Sequence, residues 1–229
     1  MYRPISTGDI FLDAPVPGTG DRDRSHNLTM ILSHPSAMRR GAMLEDIVRG
    51  APIGVRDGLS KTKWPRKNRL DVFPLPLLAT IANGNGFELA ADGWAALLEL
   101  AAPVQTTTLD VRRRVACLSP AGVGLLVQTI VAVDTRCTVN LVLIERALSQ
   151  KLEEIEWLQD WNEALVEPAV QDEGDLLTEL ASAAQEFERV MEATGGDRTT
   201  SLRHSLYARE GVREARRALR DEIEARRPS

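Results

Sequence analysis

Residues 6–35 contain the feature that most restricts the fold: two short apolar runs separated by a polar, glycine-rich segment. The first run is 10–12 and the second is 28–32. The segment 18–27 between them is too polar for a core and is typical of an exposed loop. Both runs are short enough to favour strands over helices. The stretch therefore predicts a strand, a long surface loop and a second strand, as at the start of a small β-barrel.

Composition limits the remaining choices. The chain has 229 residues, of which 43% are hydrophobic and 4% aromatic, so a core of aliphatic side chains is expected. A net charge of −5 argues against broad coating of nucleic acid, while a local basic site stays compatible with it. The N-terminus lacks the apolar region of a secretion signal, and no run approaches the roughly 18 apolar residues of a membrane span. Two cysteines without CxxC spacing fit a reducing compartment. These features predict a cytoplasmic protein without membrane contact.

After the opening strands, the pattern predicts further short strands. One is expected within 44–53, and an edge strand at 71–78, where two prolines limit pairing. Others are expected near 87–89 and 104–109, and at 94–100 a strand competes with a helix.

Helices dominate the second half of the sequence. Ser119 as N-cap and Pro120 at the first helical position predict a helix, with apolar residues following at helical spacing. Three amphipathic helices are then predicted at 145–167, 176–191 and 199–227. The last of these is densely charged, and its charged residues are expected to pair at spacings of three and four: Glu210/Glu214, Arg213/Arg217 and Arg220/Glu224. The chain is therefore predicted to be α+β: a small SH3-like barrel with a packed helix at 1–148, and a helical arm at 149–229.

The end of the second apolar run offers candidate chemistry. His34 lies among hydroxyl residues, and Arg39 and Arg40 follow it. A histidine can act as an acid or base on a phosphodiester while an arginine holds the phosphate. The alternative is that His34 only ends the strand and the arginines are solvated. A short helical turn is predicted at 37–40.

A basic loop is the second candidate site. Five cations surround a tryptophan there, as in contacts with single-stranded nucleic acid, although such loops are usually solvated. Its residues are Lys61, Lys63, Trp64, Arg66, Lys67 and Arg69. The clustered aspartates near the N-terminus have no His or Cys at ligand spacing, so neither a metal site nor a cofactor is predicted.

The arm offers the third candidate. Trp157 and Trp161 lie four residues apart on one helical face, beside Leu158 and Leu165. They either pack between the arm's own helices or form an interface with a protein partner or a second copy of the chain.

Several motifs resemble the PemK/MazF-like toxins. GDIFL at 8–12, a glycine-rich loop and TMILS at 29–33 are similar to the opening of that family, and API at 51–53 lies where it has a PIT/S strand. The run 118–120 with its apolar helix resembles the helix that closes the fold. The resemblance implies an SH3-like barrel and, for the toxins, metal-independent RNA cleavage. Here His26-Asn27 replaces the family's Arg-Pro, and Gly54 replaces its catalytic Thr or Ser.

The sequence also resembles an uncharacterised group of actinobacterial and phage proteins with the pattern RxAxLSxxGxxLLxQ…TR. Here the pattern spans 114–128 and ends at Thr135-Arg136. Together these features favour a regulatory or interaction protein, phage- or defence-associated, on a PemK-like barrel whose arm binds a protein partner or forms a homo-oligomer. The alternative is an endoribonuclease that cleaves single-stranded RNA through His34 with Arg39 or Arg40.

Overall fold

The computed structural model describes most of the chain as an α+β protein. It covers residues 3–17, 27–56, 71–89, 93–135, 141–168, 176–193 and 200–227, with the backbone alone for 141–148. Within these ranges, no helix is both long and apolar enough to cross a membrane.

The chain forms two compact units. The first comprises Ile5–Met38 and Glu45–Leu148. The second comprises Arg39–Leu44 and Ser149–Ser229, with residues 3 and 4. A short segment from the first half of the sequence therefore belongs to the helical unit.

Nine strands and seven helices lie within the described ranges. The strands are β1 (Asp9–Leu12), β2 (Leu28–Ile31), β3 (Arg39–Arg40), β4 (Met43–Leu44), β5 (Ile47–Val55), β6 (Val72–Pro74), β7 (Trp94–Leu97), β8 (Ala102–Gln105) and β9 (Arg114–Cys117). The helices are α1 (Pro35–Met38), α2 (Leu78–Gly84), α3 (Pro120–Thr135), α4 (Leu141–Leu165), α5 (Leu176–Glu192), α6 (Leu202–Ala208) and α7 (Val212–Arg226).

The first unit is built on a strongly curled antiparallel sheet that forms half of a barrel. Its strand order is β6-β7-β5-β2-β1-β9, and β8 also pairs with β5. The long strand β5 pairs with β8 through its first half and with β7 through its last three residues. Gly50 marks the crowded point, because an added Cβ would lie 2.8 Å from side-chain carbons of both Thr29 and Val104. A side chain is therefore excluded there.

The predicted opening pair of strands is confirmed. β1 and β2 are antiparallel neighbours, with Ile10 opposite Met30. At the start of β1, the buried Asp9 carboxylate accepts the backbone N–H of Ser6 at 2.9 Å and lies 3.3 Å from Nε of Arg114. Gly8 has a φ of +82°, which glycine adopts without strain. The carboxylate thus fixes the turn that starts the sheet.

The core of the first unit lies between the sheet and helices α2 and α3. Aliphatic side chains from five strands meet α2 and α3 there, and Phe73 and Trp94 are the aromatic members. The predicted N-cap of α3 is confirmed: Ser119 Oγ accepts the backbone N–H of Gly122 at 3.2 Å. Val123 and Leu126 bury the predicted face of that helix.

The second unit has its own core. Trp157, Trp161, Phe187 and Met191 are fully buried in it. Smaller apolar residues complete this core: Ala42, Leu158, Val190, Leu206, Ala215 and Leu219. The Trp161 and Phe187 rings meet edge to face, with centroids 5.9 Å apart. Residues far apart in sequence therefore build one helical unit around two tryptophans.

Several sequence predictions need correction. The turn at 37–40 is a helix only to Met38, and Arg39–Arg40 instead pairs with Met43–Leu44 as a hairpin. Residues 87–89 are not a strand: the chain turns at Asn85 and Gly86 and then continues without regular structure, and helix α2 before the turn was not predicted. The single helix predicted at 199–227 is two helices, because Arg209 and Gly211 adopt left-handed φ values of 58° and 65° between them.

Candidate functional site

His34 lies half-buried between β2 and α1. Its Nδ1 is 2.7 Å from Ser36 Oγ and accepts the backbone N–H of Ser36 at 3.3 Å. Its carbonyl accepts the N–H of Ala37 at 2.8 Å. The ring nitrogen Nδ1 thus faces the first residues of α1. His34 therefore both ends the strand and starts the helical turn.

The two arginines of the predicted catalytic trio lie in the other unit. Nη1 of Arg39 donates to the carbonyl of Ala42 at 2.5 Å, which braces the β3–β4 hairpin. Arg40 is exposed. His34 belongs to the first unit and both arginines to the second, so the trio is divided between the units.

The predicted nucleic-acid loop, from Lys61 to Arg69, lies outside the described residues. Gly54, at the place of the toxin family's hydroxyl residue, pairs with Ala95 in the middle of the sheet. The described residues contain no group of three or more metal-ligating side chains.

The tryptophans proposed as a partner interface are interior. Trp157 and Trp161 have no exposed surface, Leu158 is 3% exposed and Leu165 packs against the same core. Of the two alternatives for these residues, the structure therefore shows packing between the arm's own helices. A partner would reach these side chains only if the core of the second unit opened.

Arg203 is the centre of a partly buried ion-pair network that sequence reasoning missed. Ser201 caps α6 by accepting the backbone N–H of His204 at 3.1 Å, and Arg203 follows in the first turn. The Arg203 guanidinium donates to Glu154 Oε1 at 2.9 Å and to both oxygens of Glu188 at 2.6 and 2.8 Å. It also bonds Glu192. One cation thus ties α6 to α4 and α5.

Tyr207 and Lys151 complete the network around Glu154. The Tyr207 hydroxyl and the Lys151 ammonium both donate to Glu154 Oε2, the latter at 3.2 Å. The ammonium also lies 4.9 Å from the centre of the Tyr207 ring. Burial, together with the neighbouring Glu154 carboxylate, raises the pKa of the Tyr207 phenol. The phenol is therefore a hydrogen-bond donor here and is not suited to act as a base.

Glu188 connects the hairpin to this network. Its Oε2 accepts the backbone N–H of Ala42 at 2.6 Å. Burial acts to raise the pKa of the Glu188 carboxyl, but hydrogen bonds from Arg203 and Ala42 outweigh it, and the pKa lies below its ordinary value. Every member of the network helps to hold the helices and the hairpin together. The network, here called the Arg203 clamp, therefore stabilises the second unit and is not arranged around a substrate.

The sequence signal for this clamp is weak. Arg203, Glu154 and Glu188 are separated by long stretches of chain, and each resembles an ordinary surface residue of an amphipathic helix. The one local indication is the N-cap serine in the short segment 200–203. It suggests that a helix begins there and that Arg203 lies in its first turn.

No protein-family model matches the chain, and no curated protein matches it significantly.

Proposed function

We propose that the chain is a regulatory or interaction protein: a PemK-like barrel that carries a helical arm, with the arm associating with a protein partner or a second copy of the chain. The observation that carries the proposal is the Arg203 clamp. It uses a connected group of buried and half-buried polar and charged side chains to fix the shape of the helical unit. A rigid helical surface is what a binding element requires, since preorganisation lowers the entropic cost of association.

The curled antiparallel sheet of the first unit supports the PemK-like part of the proposal. The β1–β2 pair and the capped helix α3 also support it, because the resemblance expects two opening strands and a closing helix. A phage- or defence-associated role is proposed from the same resemblance.

The competing function is a metal-independent endoribonuclease. The observation that favours it is the half-buried imidazole of His34 beside the hydroxyl of Ser36, at 2.7 Å, because histidine is the most frequent general acid or base in proteins. Arg39 or Arg40 would then hold the phosphate. Against it, Arg39 already donates to its own hairpin.

Incubating full-length protein with single-stranded RNA, without metal, separates the two functions. The interaction proposal predicts intact RNA. Cleavage that is lost in His34→Ala and Arg40→Ala, but kept in the matched control His204→Ala, would contradict the interaction proposal and support the nuclease. His204 is exposed in the second unit and was assigned no role, so it controls for contaminating nuclease and for general effects of losing an imidazole.

A further inference from the structure

A row of carboxylates lies along the outer face of α4. Its members are separated by three, four and three residues, which places them on one side of a helix. They are Glu153, Glu156, Asp160 and Glu163, here called the acidic ridge. The last three are exposed and Glu153 is half-exposed. The ridge lies opposite the face that buries Trp157 and Trp161.

The acidic ridge pairs with no Lys or Arg of the described ranges. Lys151, the one cation in the Ser149–Leu165 part of α4, points to the core side and bonds Glu154. Among the described residues, no Lys or Arg pairs with the ridge; its one polar contact is the Gln159 amide, which donates to Glu163 at 2.7 Å. Like charges at this spacing repel one another. A complementary cationic surface would relieve that repulsion.

The outer face of α7 carries the opposite charge. Arg213, Arg217 and Arg220, here called the basic ridge, are exposed and separated by four and three residues. Glu214 and Asp221 flank the ridge and Glu224 follows it. The ion pairs predicted within this helix are nevertheless not formed: in the part of the chain that the structure describes, the three arginines have no carboxylate partner.

The two ridges match in spacing as well as in sign. Glu156, Asp160 and Glu163 repeat at four and three residues, as do Arg213, Arg217 and Arg220. Each triplet therefore spans about 10 Å of helix axis. We propose that the basic ridge of one chain docks on the acidic ridge of a second copy. This docking rests on the proposed function: it specifies the binding surface and takes a second copy of the chain as the partner.

The two ridges lie on helices that share one core. α7 packs on the tryptophan face of α4, where Arg216 lies 5.9 Å from the centre of the Trp157 ring. Three of the four acidic residues and all three basic residues are exposed, so both ridges lie outside this core. Each copy offers both ridges, so docking either closes a two-fold dimer or continues head-to-tail with further copies. In both forms the mass in solution should rise with protein concentration.

Paired charge reversals in the full-length chain test the docking. One variant is Arg213→Glu, Arg217→Glu, Arg220→Glu, in which both ridges are acidic. The other is Glu156→Arg, Asp160→Arg, Glu163→Arg, in which both are basic. By light scattering at low salt, each variant alone should have the mass of a single chain. An equimolar mixture should again exceed it, because the opposite ridges are now on different chains. Recovery on mixing also shows that both variants are folded.

Matched controls keep the charge and change the side chain. Arg213→Lys, Arg217→Lys, Arg220→Lys and Glu156→Asp, Asp160→Glu, Glu163→Asp should both associate like the wild type. If the wild type associates and the reversals leave its mass unchanged, the ridge proposal fails while association by another surface stands. A wild type that stays a single chain, including one that binds single-stranded RNA through the basic ridge, overturns the proposal.

Discussion

The backbone N–H of Ala42 donates to the Glu188 carboxylate at 2.6 Å and joins residues that are 146 positions apart. Ala42 is 3% exposed, and its methyl group belongs to the core of the helical unit. The hairpin of Arg39–Leu44 is therefore a structural part of that unit. Deleting 149–229 would expose Ala42 and leave the hairpin without its partners, so substitutions in the full-length chain are the cleaner test of the arm.

Replacing Arg203 should destabilise the protein strongly. Arg203→Ala leaves Glu154, whose side chain is 7% exposed, without its main cation. Removing one partner of a buried pair costs about 3–5 kcal/mol, and the lower end is expected because Lys151 and Tyr207 still donate to Glu154. Urea unfolding followed by circular dichroism measures the change. The matched control is Arg189→Ala, whose side chain is 74% exposed and pairs with Glu186; it should cost less than about 1 kcal/mol. Equal losses in the two variants would show that the Arg203 clamp does not stabilise the fold.

Glu188 should make the second unit sensitive to acid. Its pKa in the folded state lies below the ordinary 4.5, so its contribution to the free energy of unfolding is complete above that value. The contribution is lost as the pH falls from 4.5 through the lowered folded value. Glu188→Gln should be less stable than wild type at neutral pH and should lose less stability on acidification. Parallel curves of urea midpoint against pH for the two proteins would contradict this.

Tyr207 should produce the opposite dependence at alkaline pH. Its pKa is raised above the ordinary 10.0, so its stabilising effect is complete below that pH and is lost as the pH rises through the folded value. Tyr207→Phe removes a hydrogen bond to a carboxylate, at a cost of about 1.5–3 kcal/mol near neutral pH. The variant should also unfold with a flatter pH dependence above 10.0 than the wild type. A wild-type curve that is equally flat would show that the phenol is not held protonated by the fold.

Gly50 should tolerate no side chain. A Cβ there would lie 2.8 Å from carbons of Thr29 and Val104, so Gly50→Ala should overpack the sheet and cost about 1–3 kcal/mol. Gly84→Ala is the matched control, because nothing lies within 4 Å of its added Cβ. Gly84 is the last residue of α2, so alanine there should be neutral or slightly stabilising. Thermal unfolding of both variants checks the difference, and a Gly50→Ala variant as stable as Gly84→Ala would refute the close packing.

Sequence patterns predicted those elements of the fold that depend on residues close together in the chain. The β1–β2 pair, the Ser119 cap of α3 and the helical character of the second half follow from apolar spacing and capping residues. Strand β9 was missed because the RVAC run of Arg114–Cys117 is short and begins with a charge. The break between α6 and α7 depends on Arg209 in a left-handed conformation, and the sequence signal for it was Gly211 alone.

For the candidate sites, local sequence patterns predicted even less. Burial separates Trp157 and Trp161 from the surface, and amphipathic spacing cannot distinguish an internal face from an interface. The division of His34 from Arg39 and Arg40 arises from a hairpin that joins the other unit, which no local pattern encodes. By contrast, the acidic ridge was readable from the spacing of Glu153, Glu156, Asp160 and Glu163 alone. Only the structure shows that no Lys or Arg in the described ranges pairs with these carboxylates.

Association of the full-length wild-type chain is the most direct test of the central claim that the helical arm is a binding surface for a second copy. Light scattering should give a mass above the 25.2 kDa of one chain at low salt, rising with protein concentration. Added salt should reduce it, since exposed charges are screened beyond about 3 Å at 1 M ionic strength. A mass of 25.2 kDa at every concentration and at low salt would contradict the claim.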